Sequence, residues 1–307
     1  MSSSMVTALV SIYSFLALVT SVFGAVRWLK GPGKMINELI ERTLSWWVIL
    51  TVATVCLFIN DIAATLSLMM LSFFAFHEII SKYGLPKAHL RVLRISYVAI
   101  PLQYLFAYLN MLDVILVFIP VFGFFALSLR SVATGKTEEI SKAMGVIHWS
   151  LMMTVFTFSH IALIYHHPMS SVTNENKYAL VLFLIVTTEL NDIFQFTWGK
   201  LFGKNKIVPE VSPKKTTEGL LGGLISTTAL SYALAGFIGV TEIQAMILGF
   251  LISLTGFFGD ITFSAVKRDL NIKDLGNSIP GHGGLLDRVD SLALTSVVFF
   301  YTLLLMK

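Results

Sequence analysis

The sequence predicts an all-α, polytopic integral membrane bundle of about ten transmembrane helices, or nine if one of its two shortest apolar runs does not cross. Three observations predict it. Mean hydropathy is +0.78, and 55% of residues are hydrophobic against 13% charged, unlike a soluble domain. Apolar runs recur along the whole chain, most of them long enough to cross a bilayer at about 1.5 Å per residue. The cations alternate as well: every Lys and Arg except Lys177 and Lys307 falls in every second connection between those runs.

In order, the spans are placed at 6–26, 44–59, 62–80, 93–109, 114–129, 145–165, 178–198, 220–240, 243–265 and 289–306. The first is preceded by no basic residue and is long enough to span, so it does not read as a cleaved targeting peptide. The second and fifth are the short ones. Trp46 and Trp47 suit an interfacial belt in the second, and the single cysteine, Cys56, lies in its apolar run and excludes a disulfide within one chain. His77 and Glu78 close the third on its cytoplasmic side, where they either border the site or hold a plain interfacial position. His148 and His160 lie within the sixth and read as bundle residues, with His166 and His167 at its outer interface. Glu189, Asn191 and Asp192 fall in the seventh, and Asp260 in the ninth.

The connections 27–42, 82–94, 130–142, 200–215 and 267–288 hold the cations and are therefore expected to be cytoplasmic, with both termini extracytoplasmic. The formal charge of +4 then reflects topology and calls for no nucleic acid. Polar residues inside the spans increase toward the C-terminus. The chain reads as a single membrane domain, 1–307, with scaffold helices in 1–177 and a catalytic half in 178–307 that carries motif loops 199–219 and 266–290.

The acids share a depth. Asp192 lies roughly 10 Å from the cytoplasmic end of an inward-running span, and Asp260 is placed similarly. Asp287 and Asp290, three apart on one helix face, open the next span from the same side. A carboxylate in hydrocarbon costs about 2.5–3.5 kcal/mol, so such groups face a cavity, a partner or a metal. Their common depth points to convergence on a cation. The competing reading has each one cap a helix or pair with Arg268 or Arg288.

Two loops add cations and hydroxyls. In the segment SPKKTTEG, Ser212 and Thr216 can bond phosphate oxygens and Lys214 and Lys215 add charge, ahead of a helix expected to start near Glu218. Gly222 and Gly223 permit close helix packing there. The charge alone is what any cytoplasmic loop carries. In 264–290, Lys267, Arg268, Lys273 and Arg288 are available to phosphate, and Gly283, Gly284 and His282 form a turn that can present N–H groups to an anion. The plain alternative is a tight re-entry turn. Cations beside paired acids suggest magnesium-dependent chemistry on a phosphate ester. An ion-coupled transporter is the rival class, but it predicts inverted repeats and acids at mid-depth.

The residues Ser264, Lys267, Arg268, Lys273, Asp274, Gly276, Pro280, His282, Gly283, Gly284, Asp287, Arg288 and Asp290 resemble the C-terminal pattern of the phosphatidate cytidylyltransferases, or CDP-diacylglycerol synthases. A second block is similar too: Asn191 and Asp192, Gly199 and Lys200, Gly203 and Lys204, Ser212 to Thr216, then Gly222 and Gly223. Gly259 with Asp260 matches a third element. The resemblance covers the last third of the chain; the first half is similar only in being hydrophobic. Two departures stand out. Ile193, Phe194, Gln195 and Phe196 replace the small residues and tyrosine that usually follow the intramembrane aspartate, and Thr217 replaces an aromatic. They open the prospect of a divergent member with another phospholipid substrate or without activity.

The resemblance implies transfer of CMP from CTP to phosphatidic acid. It implies Mg2+ held by Asp192, Asp260, Asp287 and Asp290, with a second monovalent or divalent cation left open. Asp287, Asp290 and Lys267 would be catalytic. Ser212, Lys214, Lys215, Thr216, Lys267, Arg268, Lys273, His282, Gly283, Gly284 and Arg288 would hold substrates. The expected partners are CTP, phosphatidic acid and the bilayer, with no nucleic acid and a homodimer left open. The expected location is a bacterial plasma membrane, with the site on its cytoplasmic side.

Overall fold

The structure is a computed structural model that describes residues 3–31, 60–135, 137–167, 177–276 and 283–306, with scattered positions between 33 and 59. Helices dominate, and no β-strand occurs among the described residues. In chain order they are α1 (Ser3–Lys30), α2 (Asp61–Ser81), α3 (Leu90–Ser96), α4 (Ala99–Tyr108), α5 (Leu112–Val132), α6 (Ile140–His166), α7 (Lys177–Phe202), α8 (Thr217–Ala233), α9 (Ala235–Ile238), α10 (Glu242–Asp269) and α11 (Leu286–Leu305). Six of them, α2, α5, α6, α7, α10 and α11, are long and apolar enough to cross a membrane, and α1 adds a shorter apolar stretch, Leu16–Leu29. The chain is an all-α integral membrane protein.

Local chemistry sets the helix starts. Asn60 caps α2 by accepting from the Ala63 N–H at 2.7 Å. Thr241 and Gln244 form a reciprocal capping box at the start of α10. Thr216 caps α8, which begins at Thr217, one residue before the expected start. Both α5 and α6 contain a π-helical segment, at Phe118–Gly123 and Leu151–Phe156. The first holds Pro120, whose missing N–H an ordinary helix would leave as a gap.

Two expected spans are each interrupted as helices. The run 93–109 is two helices, α3 and α4, parted at Tyr97 and Val98. Pro101 cannot donate to the carbonyl four residues back, so the helix opens at that turn. The run 220–240 is likewise α8 followed by the short α9, which ends at Gly239 in a left-handed conformation, φ 72. Gly236 and Gly239 weaken continuation there. Most of 44–59, with Cys56, lies outside the described residues.

The C-terminal helices pack in succession, α7 on α8, α8 on α10 and α10 on α11. The last of these also packs on α6, which in turn contacts α2 and α4. Small residues set the spacing. A Cβ on Gly259 of α10 would stand 2.9 Å from the Asp290 carbonyl oxygen of α11, so glycine permits the two backbones to meet there. The C-terminal ends of α2, α7 and α10 and the N-terminal ends of α8 and α11 gather at one end of the bundle. At the other end, Asp61 accepts from Tyr165 at 2.9 Å and from Lys177 at 3.1 Å. His166 there meets Thr65 at 2.7 Å, and His167 meets Asn110 at 2.6 Å. His160 is buried, bonded through Nδ1 to the Phe156 carbonyl at 2.8 Å, as a bundle residue should be.

Candidate active site

The first turn of α11 carries the site's densest set of bonds. Asp287 Oδ2 accepts the Leu275 N–H at 2.7 Å and the Gly284 N–H at 3.0 Å. Its Oδ1 accepts from the Lys267 ammonium at 3.0 Å, and the same ammonium lies 3.6 Å from Asp290 Oδ2. The three-residue spacing thus does what helix geometry requires, presenting both carboxylates to one cation. Lys267 reaches them from the last turn of α10, and all three side chains are at most 11% exposed.

A second lysine bonds α10 two turns before Lys267. Lys215, from the loop between α7 and α8, bonds Asp260 Oδ2 at 2.7 Å and donates to Gln195 Oε1 at 3.1 Å. Burial pushes its ammonium down, but the Asp260, Asp192 and Asp290 carboxylates outweigh burial and hold its pKa above the ordinary lysine value. Those three acids come from α10, α7 and α11, so one ammonium senses carboxylates from three helices. Ser264 donates to Asp260 at 3.2 Å, and Ser291 donates to Asp192 Oδ2 at 2.7 Å.

Behind Lys215 a polar chain enters the bundle. Gln195 donates to Asn191 Oδ1 at 3.1 Å and to the Ser253 carbonyl at 3.2 Å. The same Asn191 oxygen also accepts from Thr227 at 3.1 Å and from the Ser253 hydroxyl at 2.6 Å. Every member is buried, and this chain of bonds anchors the base of the lysine loop.

Among the described residues, no three His, Cys, Asp or Glu side chains converge closely enough to hold a metal ion. The lysines lie on the carboxylates instead. The residues nevertheless suit a hard divalent cation. The donors are all carboxylate oxygens, the set magnesium takes, and Asp192 Oδ1 is buried without a hydrogen-bond partner among the described residues. An orphaned buried carboxylate oxygen is costly unless something occupies it.

The other expected site residues divide by what they touch. Lys214 and Lys273 are exposed. Arg268 donates from Nε to the Val211 carbonyl at 3.1 Å and from Nη1 to the Ile272 carbonyl at 3.3 Å, tying the lysine loop to the end of α10. The Thr216 hydroxyl is engaged as the α8 cap, accepting from the Gly219 N–H at 3.1 Å. Ser212 is half-buried, with its N–H on the Val208 carbonyl at 2.8 Å. Gly283 adopts φ +85 beside Asp274 and Asp287, a conformation open to glycine. Gly284 is buried, Arg288 is half-buried, and His282 lies outside the described residues.

Sequence reasoning gave Ser291 no place in the site, and none of Ser291, Gln195 and Glu78 a defined role: Glu78 was placed either bordering the site or at a plain interface, and Gln195 within a segment that departs from the family pattern. Ser291 carried a usable signal, since a hydroxyl next to Asp290 falls at the acids' depth. Gln195 was visible only as a departure from a pattern. Glu78 gave no more than its position at a span end.

Fold and site together define a membrane-embedded enzyme that gathers buried acids and cations at one end of a helical bundle. The sequence profile of the cytidylyltransferase family matches residues 40–306, and the chain belongs to that family of nucleotidyltransferases. It is 37% identical to the uncharacterized protein YnbB of Escherichia coli over 296 residues, 96% of each chain. It is 42% identical over 125 residues to the phosphatidate cytidylyltransferase of Mycobacterium leprae, 40% of each. To that of Bacillus subtilis it is 35% identical over 167 residues, 50% of this chain and 62% of the relative. The chain thus spans about half the length of the phosphatidate cytidylyltransferases it matches.

Proposed function

We propose that the protein transfers CMP from CTP to phosphatidic acid, giving CDP-diacylglycerol and pyrophosphate, at the cytoplasmic face of a bacterial plasma membrane. A lipid phosphate oxygen bonds to the α-phosphorus of CTP. The bond from that phosphorus to the β-bridging oxygen breaks, and its electrons leave with pyrophosphate. A phosphate monoester with a second pKa near 6 is largely dianionic at neutral pH, so no general base is needed. The obstacle is repulsion between two anions.

The chain's cations address it. Lys215 and Lys214 hold the triphosphate, while Lys267, Arg268 and Arg288 draw the lipid phosphate toward it. Asp192, Asp260, Asp287 and Asp290 would hold Mg2+, which when bound disperses phosphate charge. Lys215 and Lys267 keep those acids neutralised until the nucleotide enters. The observation that carries the reading is Lys215 itself, a loop ammonium held among carboxylates of three helices. The names of the Mycobacterium and Bacillus relatives support the choice of substrates.

The test incubates purified protein in liposomes with radiolabelled CTP, Mg2+ and phosphatidic acid. Wild-type protein labels the lipid, and Asp287→Asn and Asp290→Asn do not, although both remain inserted. Full labelling in both variants refutes the site. A second reading, another lipid phosphate as acceptor, is favoured by one observation: Gln195, in the segment after Asp192, is bonded to Lys215 and so shapes the pocket wall. Labelling of a different lipid phosphate, with none of phosphatidic acid, would select it. No CTP-dependent labelling together with ion flux into vesicles would select the transporter.

A further inference from the structure

Glu78 belongs to the half of the chain that carries no motif, near the end of α2, yet it is only 7% exposed. Its carboxylate faces the α11 N-terminus across more than two hundred residues of sequence. Oε1 accepts the Leu285 N–H at 2.9 Å, and Oε2 accepts the Leu286 N–H at 2.8 Å. These are the backbone donors that a helix start leaves without partners of its own, and a carboxylate there also meets the positive end of the helix dipole.

The described residues on either side of 277–282 press against the same carboxylate. A Cβ on Gly276 would stand 2.5 Å from Oε1, and one on Gly284 would stand 2.7 Å from Oε2. Asp287 grips the same turn from its other side, through the Leu275 and Gly284 N–H groups. Residues 275–276 and 284–286 are therefore clamped between two carboxylates. One of them, Asp287, is a site residue; the other, Glu78, bonds the backbone of Leu285 and Leu286.

We propose that Glu78 is a positioning residue: by fixing Gly276 and the stretch 284–286 it sets the register at which α11 presents Asp287 and Asp290 to Lys267. It acts through the main chain and contacts no substrate. The catalytic consequence rests on the transferase reading above, whereas the structural consequence does not.

The experiment compares wild-type protein with Glu78→Gln and Glu78→Ala in liposomes, by kinetics and by amide hydrogen exchange. A glutamine keeps the shape but replaces one accepting oxygen with a donor and removes the charge. Loss of a charge-assisted hydrogen bond predicts about a tenfold to hundredfold effect. In E78Q, exchange in peptides covering 275–290 rises by that factor, while exchange in α7 and α8 is unchanged. The kcat falls by a similar factor, and KM for CTP, set by the separate lysine loop, stays within about twofold. E78A shows the same pattern, more strongly.

Unchanged exchange across 275–290 overturns the proposal. So does faster exchange throughout the bundle, which would make Glu78 a general packing residue. A kcat within about twofold of wild type also overturns it. If wild-type protein forms no CDP-lipid, the substrate assignment fails and the exchange measurement alone judges Glu78.

Discussion

Replacing Lys267 by Met removes an ammonium that lies 3.0 Å from Asp287 and 3.6 Å from Asp290. The two carboxylates are 5% and 11% exposed, so bulk water replaces the lysine poorly at either. Asp287 keeps its two backbone donors, and Asp290 keeps the Ser291 N–H at 2.9 Å. Removing one partner from a buried ion pair costs about 3–5 kcal/mol, because the charge left behind stays desolvated. At about 2 °C per kcal/mol for a large domain, the thermal midpoint should fall by at least about 6 °C. The assay is heat-induced loss of the monodisperse peak in detergent at neutral pH without divalent ions. The double variant K267M/D287N should recover part of the loss, since it removes one of the stranded charges, giving a coupling energy of about 1–3 kcal/mol. Millimolar Mg2+ should raise the K267M midpoint more than the wild-type one, by restoring positive charge between the acids. A K267M midpoint within about 2 °C of wild type, unmoved by Mg2+, would refute the reasoning.

Two further outcomes follow from the same geometry. The pKa of Lys215 is raised on folding, so its stabilising contribution is complete below the ordinary lysine pKa of about 10.4 and is lost as pH rises through the higher folded value. The midpoint difference between wild type and Lys215→Met should therefore be flat from about pH 7 to 9 and shrink only above pH 10.4; a difference that shrinks between 7 and 9 would contradict this. Gly259→Ala would place a Cβ 2.9 Å from the Asp290 carbonyl oxygen and 3.2 Å from the Ser291 Cα, forcing α10 and α11 apart. Overpacking of that kind costs about 1–3 kcal/mol, read as a lower midpoint and a loss of CDP-lipid formation larger than the change in stability alone predicts.

Much of the fold was legible because bilayer thickness turns composition into length. The runs 62–80, 114–129, 145–165, 178–198 and 243–265 fall within helices long enough to cross, and 289–306 does so up to Leu305. Helix breaks were harder to read. Hydropathy reports what can sit in lipid, and it does not register the hydrogen bond that Pro101 cannot make or the left-handed turn that Gly239 permits.

Local spacing by itself determined that Asp287 and Asp290 share one face, that Asp192 and Asp260 lie at a similar depth, and that the lysine loop feeds a helix start. Each is a property of one segment and its distance from a membrane boundary. The pairings were decided only in three dimensions: Lys267 with Asp287 and Asp290, Lys215 with Asp260, Ser291 with Asp192, and Glu78 with the α11 backbone. Each depends on how helices far apart in sequence are rotated and how closely they approach. Packing at residues such as Gly259 sets that approach, and no periodicity within a single helix encodes it.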